Sequence, residues 1–131
     1  MKRLLTCLVL LTAALSTFSA EARSTHRLLS ARVQRDAVSF SVAISHHGQP
    51  SQLKFHLGKS TPRVNVAVNG WPTIWSGQVT EQSPKVINFS VPLATVKRCG
   101  IGGAVGETFC LASSWTVPGG MHYVGVIESL R

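Results

Sequence analysis

Apolar and polar residues alternate with a period of two along much of this chain. Val38, Phe40, Val42 and Ile44 fall on one face, and Ser39, Ser41, Ala43 and Ser45 on the other. That is the pattern of a β-strand with one buried side. Leu53, Phe55 and Leu57 alternate with Gln52, Lys54 and His56. Val64, Val66 and Val68 alternate with Arg63, Asn65, Ala67 and Asn69. Leu28, Leu29, Ala31 and Val33 suit a first strand, with residues 23–27 as a loose tail before it. Val86, Ile87, Phe89 and Val91 predict a further strand, and Phe109–Val117 and Met121–Ile127 a closing pair.

Turn signals separate these runs. They are His46-His47-Gly48-Gln49-Pro50, Asn69-Gly70 and Pro118-Gly119-Gly120, with a polar connection from Ser76 to Lys85. No stretch carries a sustained helical period. About seven short strands, with turns roughly every ten residues, predict an all-β chain folded as a sandwich with Greek-key connections.

The first residues change the picture of where this domain works. Lys2 and Arg3 precede an apolar run from Leu4 to Leu15, and Ala20-Glu21-Ala22 supplies the small residues of a cleavage site. This reads as a secretory signal over residues 1–22, leaving one domain over residues 23–131 and a periplasmic or secreted location. The run is well short of the roughly 20 apolar residues of a membrane span. No membrane span is therefore expected after cleavage.

The formal charge of +8 falls to +7 when Lys2, Arg3 and Glu21 leave. Such a charge favours acidic partners. The basic residues are dispersed and do not interleave with aromatics as a stacking platform requires, so nucleic acid is not expected as a partner. Cys99 and Cys110 are the only cysteines beyond the signal. In an oxidising compartment they are expected to form one disulfide, with buried free thiols as the alternative.

Candidate chemistry is sparse, and no enzyme activity is expected. Only Asp36, Glu81, Glu107 and Glu128 are available as acids after the signal, and none stands in a nucleophile-elbow sequence. His26, His46, His47, His56 and His122 raise a metal site, but their spacing lacks the regular cysteine or acid partners of zinc ligands. No cofactor is expected. The glycine-rich run Gly100–Gly106 lacks the lysine and following helix of a phosphate loop. It reads better as an excursion at one end of the sandwich, able to enter a partner's cleft. Trp71, beside Pro72 in a turn, and Trp75 are candidate anchors for a partner, together with Gly102 and Gly103 of the excursion.

The strand order resembles the bacterial intracellular proteinase inhibitor family (BsuPI). The resemblance runs through Leu28–Ser45, Ser51–Leu57, the alternating valines of Val64–Asn69 and Gly70-Trp71-Pro72-Thr73-Ile74-Trp75. It ends on Trp115-Thr116-Val117-Pro118-Gly119-Gly120-Met121-His122-Tyr123-Val124-Gly125-Val126. It implies an immunoglobulin-like β-sandwich that binds protein and inhibits a serine proteinase. Export and the Cys99–Cys110 segment depart from that family, and no reactive-site residue transfers. The expectation is an exported protein-binding module whose partner is a proteinase or an acidic envelope component. The alternative is a structural or chaperone-like assembly component of the bacterial envelope.

Overall fold

The computed structural model describes residues 24–59 and 70–131. The signal segment and the expected strand at Val64–Val68 lie outside those residues. Seven strands are described: β1 (Thr25–Val33), β2 (Ala37–Ser45), β3 (Ser51–Gly58), β4 (Thr73–Val79), β5 (Val86–Pro92), β6 (Thr108–Val117) and β7 (Gly120–Ser129). One short helix, α1 (Leu93–Arg98), joins β5 towards β6. The strands form two antiparallel sheets, β1-β2-β5 and β4-β3-β6-β7. Hairpins stay within a sheet, whereas the chain changes sheet after β2, β4 and β5.

Alternation decides what each sheet contributes to the core. In β2, Val38, Phe40, Val42 and Ile44 are all buried, as the period of two predicts. They meet Leu53, Phe55 and Leu57 of β3 and Phe109, Leu111 and Trp115 of β6 in one apolar cluster. Aromatic rings join the layers. Phe55 stacks on Phe89 with centroids 5.7 Å apart, and Phe40 meets Phe109 edge-on at 6.1 Å. Such pairs add specificity of geometry to the burial of apolar area.

Three local features depart from the sequence reading. First, residues 25–27 are not a loose tail, because β1 begins at Thr25 and His26 is buried. Pairing with β2 skips Leu29, which is 47% exposed between Leu28 and Ser30. This bulge lets His26 and Leu28 face inwards on one side of it and Ala31 and Val33 on the other.

Second, β4 runs on through Val79, into the stretch read as a polar connection. Gln78 and Ser76 lie opposite Gln52 and Lys54 on the outer face, while Gly77 and Trp75 lie opposite Leu53 and Phe55 on the inner one. A side chain at Gly77 would strike the Trp75 ring, so the glycine leaves room for the indole to lie along the strand.

Third, α1 occupies six residues that carry no long helical period, and it buries only Val96. A backbone bond from Leu93 N–H to the Asp36 carbonyl, 2.8 Å, ties its start to the β1–β2 turn.

The chain's last residues close one side of the sandwich. Val33 N–H donates to the Arg131 carbonyl at 2.8 Å, and Arg131 N–H donates to the Ala31 carbonyl at 3.0 Å. The two sheets approach at the other side through Trp75 and Phe89, whose ring centroids are 6.4 Å apart.

Candidate recognition surfaces

The expected disulfide is not formed: Cys99 and Cys110 are both buried free thiols. The strand pattern supplies the reason. Phe109 and Leu111 point into the core, so Cys110 between them points to the opposite face of its sheet, whereas Cys99 belongs to the core cluster. Burial raises both thiols, Cys99 above its ordinary value against the pull of Arg98, and Cys110 to about 11 against the Val126 backbone. Both are therefore poor nucleophiles.

The segment between them is an organised loop. Glu107 turns its carboxylate back to accept three successive backbone N–H groups, from Gly102 at 2.8 Å, Gly103 at 2.8 Å and Ala104 at 3.2 Å. The Gly102 N–H is the largest influence holding the Glu107 carboxyl below its usual range, with help from Ala104, Gly103 and the charge of Lys59. The concavity that could suit an external anion is thus filled by the chain's own carboxylate.

Further bonds brace the loop. Glu107 N–H donates to the Ala104 carbonyl at 3.1 Å, closing a tight turn, and Gly106 N–H donates to the Leu130 carbonyl at 2.7 Å. Gly106 sits at φ +88°, the left-handed conformation a glycine adopts at little cost. Ile101 anchors the loop in the core, Gly103 is pressed against Leu93, and Val105 at the tip is 72% exposed.

Of the expected anchors, Trp71 and the loop lie at the same end of the sandwich. The Trp71 ring packs so tightly on Gly58 that no side chain fits there, and the stem of the adjacent Lys59 runs over Gly100. Trp71 is half-buried. Trp75 is drawn into the side of the core against Phe55, centroids 5.4 Å apart, and is not grouped with the loop. Gly102 is exposed and Gly103 buried, and both serve as donors to Glu107. Glu107 and Val105 escaped the sequence reading. An acid closing a glycine run that also holds β-branched Ile101 and Val105 was the available signal.

The histidines are divided between two places. His56 Nε2 is 2.9 Å from Ser114 Oγ on the outer face of the four-stranded sheet, and Thr73 Oγ1 lies 3.5 Å from its Nδ1. Burial lowers its pKa, against the Trp71 backbone and together with the nearby charge of Lys54. At the opposite end, His46 Nε2–H donates to the Gln49 carbonyl at 2.7 Å, so its Nδ1 accepts from the Ser24 hydroxyl at 2.9 Å. The ring stacks on Trp115 at 5.6 Å. His122 Nε2–H donates to the Ser24 carbonyl at 2.8 Å. Among the described residues, no three histidines, cysteines or acids are grouped as metal ligands.

The outer face of the β1-β2-β5 sheet is polar. Arg32, Ser39 and Ser90 form one row across the three strands, and Ser30, Ser41 and Asn88 form the next. Arg27, Ala43 and Val86 follow. Ser39 and Ser90 hydroxyls lie 3.2 Å apart. No helix among the described residues is long and apolar enough to cross a membrane. No family model matches this chain, and no curated protein or solved structure matches it either.

Proposed function

We propose that this chain is an exported, non-catalytic protein-binding module of the immunoglobulin-like type, presenting the Gly100–Gly106 loop to a partner. The observation that carries the reading is Val105, 72% exposed at the tip of a loop braced by Glu107. A loop already held in one shape loses little freedom on docking. The strand order supports the immunoglobulin-like reading: the first, second and fifth strands form one sheet, and the third, fourth, sixth and seventh form the other.

The inhibitor activity implied by the family resemblance takes a particular form here. Ala104–Glu107 is a closed turn and not an extended segment. Blocking a proteinase would therefore rest on wedging the tip into a pocket, without offering a substrate-like strand. Titration of a serine proteinase panel with the processed protein and with Val105→Asp tests this. Inhibition by the native protein alone is expected, and no inhibition at micromolar protein removes the inhibitor reading.

One observation favours the envelope-assembly alternative. The outer edges of β4 and β5 have no backbone partner among the described residues, and neither strand carries a charged side chain. Charges are the usual guard against strand addition, so such edges can recruit a partner strand. Recovery of one envelope protein by the native chain, lost in Ser76→Lys and kept in Val105→Asp, would select this alternative. Loss in Val105→Asp alone selects the loop.

A further inference from the structure

We infer that the outer face of the β1-β2-β5 sheet binds an anionic polysaccharide, a sugar polymer carrying sulfate, phosphate or carboxylate groups. The argument begins with what the pleat puts outside. On this face β1 carries the exposed Arg27 and Arg32, β2 the half-buried Ala37, Ser39, Ser41, Ala43 and Ser45, and β5 the exposed Val86, Asn88, Ser90 and Pro92. The register brings them into rows, so hydroxyl, amide and guanidinium groups share one surface. A shallow depression of about 330 Å³ lies among Ser30, Arg32, Ser39, Ser41, Asn88 and Ser90, with Phe40 and Phe89 also in its lining.

Charge selects the kind of occupant. None of the three strands contains an aspartate or glutamate, and Asp36 lies in the turn between β1 and β2 at one end of the face. Among the described residues neither Arg27 nor Arg32 has a carboxylate to pair with on this face, whereas guanidinium groups match carboxylate, sulfate and phosphate oxygens with paired N–H donors. The serine hydroxyls and the Asn88 amide both donate and accept, which suits the hydroxyls of a sugar.

Shape and composition exclude the competing polymers. Phe40 and Phe89, the aromatic residues of these strands, belong to the core and stack on one another at 5.2 Å. Although both residues line the depression, their rings are packed in the core, so neither stands out as an open platform for a nucleic-acid base.

The test uses dextran sulfate, unmodified dextran and single-stranded DNA as probes of the processed protein, with affinities measured by calorimetry at two salt concentrations. Binding of dextran sulfate is expected, with neither dextran nor DNA bound comparably. Arg27→Gln combined with Arg32→Gln should weaken dextran sulfate at least ten-fold, and the uncharged change Ser39→Val with Ser41→Val several-fold. Lys97→Gln with Arg98→Gln, on α1, removes the same charge elsewhere and should change affinity less than two-fold. Circular dichroism and melting temperature verify that each variant is folded. Equal losses in the two charge variants, no loss in the serine variant, or equal binding of DNA would each overturn the assignment.

Discussion

His26 Nδ1 lies 2.6 Å from Ser113 Oγ, joining the first strand to the sixth through the interior. Ser113 Oγ also accepts the Trp115 indole N–H at 2.9 Å, so its own proton is free to donate to His26. With Nδ1 accepting from Ser113, the ring's Nε2 is buried without a hydrogen-bond partner among the described residues. Burial lowers the His26 pKa to about 4, outweighing the opposing influence of the Leu111 backbone.

That depressed value makes the fold acid-sensitive. Between the unfolded value of 6.5 and the folded value of about 4, the unfolded chain binds the proton and the native chain does not. Stability therefore falls as pH drops through this window, by about 3 kcal/mol in total from this one group. Urea unfolding at pH 7, 5.5 and 4 checks it. His26→Phe should flatten the pH dependence by a comparable amount, even if its stability at pH 7 is lower.

Glu107 is shifted in the same direction as His26, and its contribution is likewise lost on acidification. Its folded pKa lies below the ordinary value because the charged carboxylate collects backbone N–H groups, that of Gly102 foremost. The bracing is complete above the usual carboxylate range and is lost as pH falls through the lowered folded value. Glu107→Ala should accelerate hydrogen exchange at the Gly102, Gly103 and Ala104 amides by about ten-fold or more, with little change in the β2 and β3 amides. Amide exchange followed by NMR measures this directly.

The two thiols should be silent in the native state. At pH 8 a group with a pKa of about 11, as for Cys110, is thiolate only about once in a thousand molecules, and it is also buried. A disulfide-exchange reagent should label neither Cys99 nor Cys110 in the folded protein, and both in denaturant. The melting temperature should be the same with and without reductant, because no cross-link is present to be broken.

Gly58 and Trp71 form a tight pair that substitution can expose. A methyl group at position 58 would overlap the rigid indole. Gly58→Ala should destabilise the fold by about 1–3 kcal/mol, the usual range for overpacking. The same change made in a Trp71→Ala background should cost much less. Chemical denaturation of the four proteins in this cycle gives the coupling.

Legibility in the sequence followed the strength of alternation. In β2 the run from Val38 to Ser45 repeats without interruption, and every inward residue is buried. β4 was harder, because Ser76, Gly77 and Gln78 resemble a linker until β3 is placed beside them. In β1 the adjacent leucines obscured the strand's start, and only the bulge explains them. The cysteines misled for a related reason: their number and compartment suggest a bond, but the face on which Cys110 emerges is set by strand parity. The bracing of the loop depends on Glu107 folding back through space, and the rows of the polar face depend on sheet order. Neither can be counted along the chain.

The bulge at Leu29 also bears on how this chain tolerates changes of length. Deleting Leu29 would leave His26, Leu28, Ala31 and Val33 on the inner side, now in unbroken alternation. Deleting a single residue from the middle of β2 would instead turn half of that strand inside out. Insertions and deletions in the sheet should therefore be survivable at this one unpaired residue and ruinous within the regular ladder beside it.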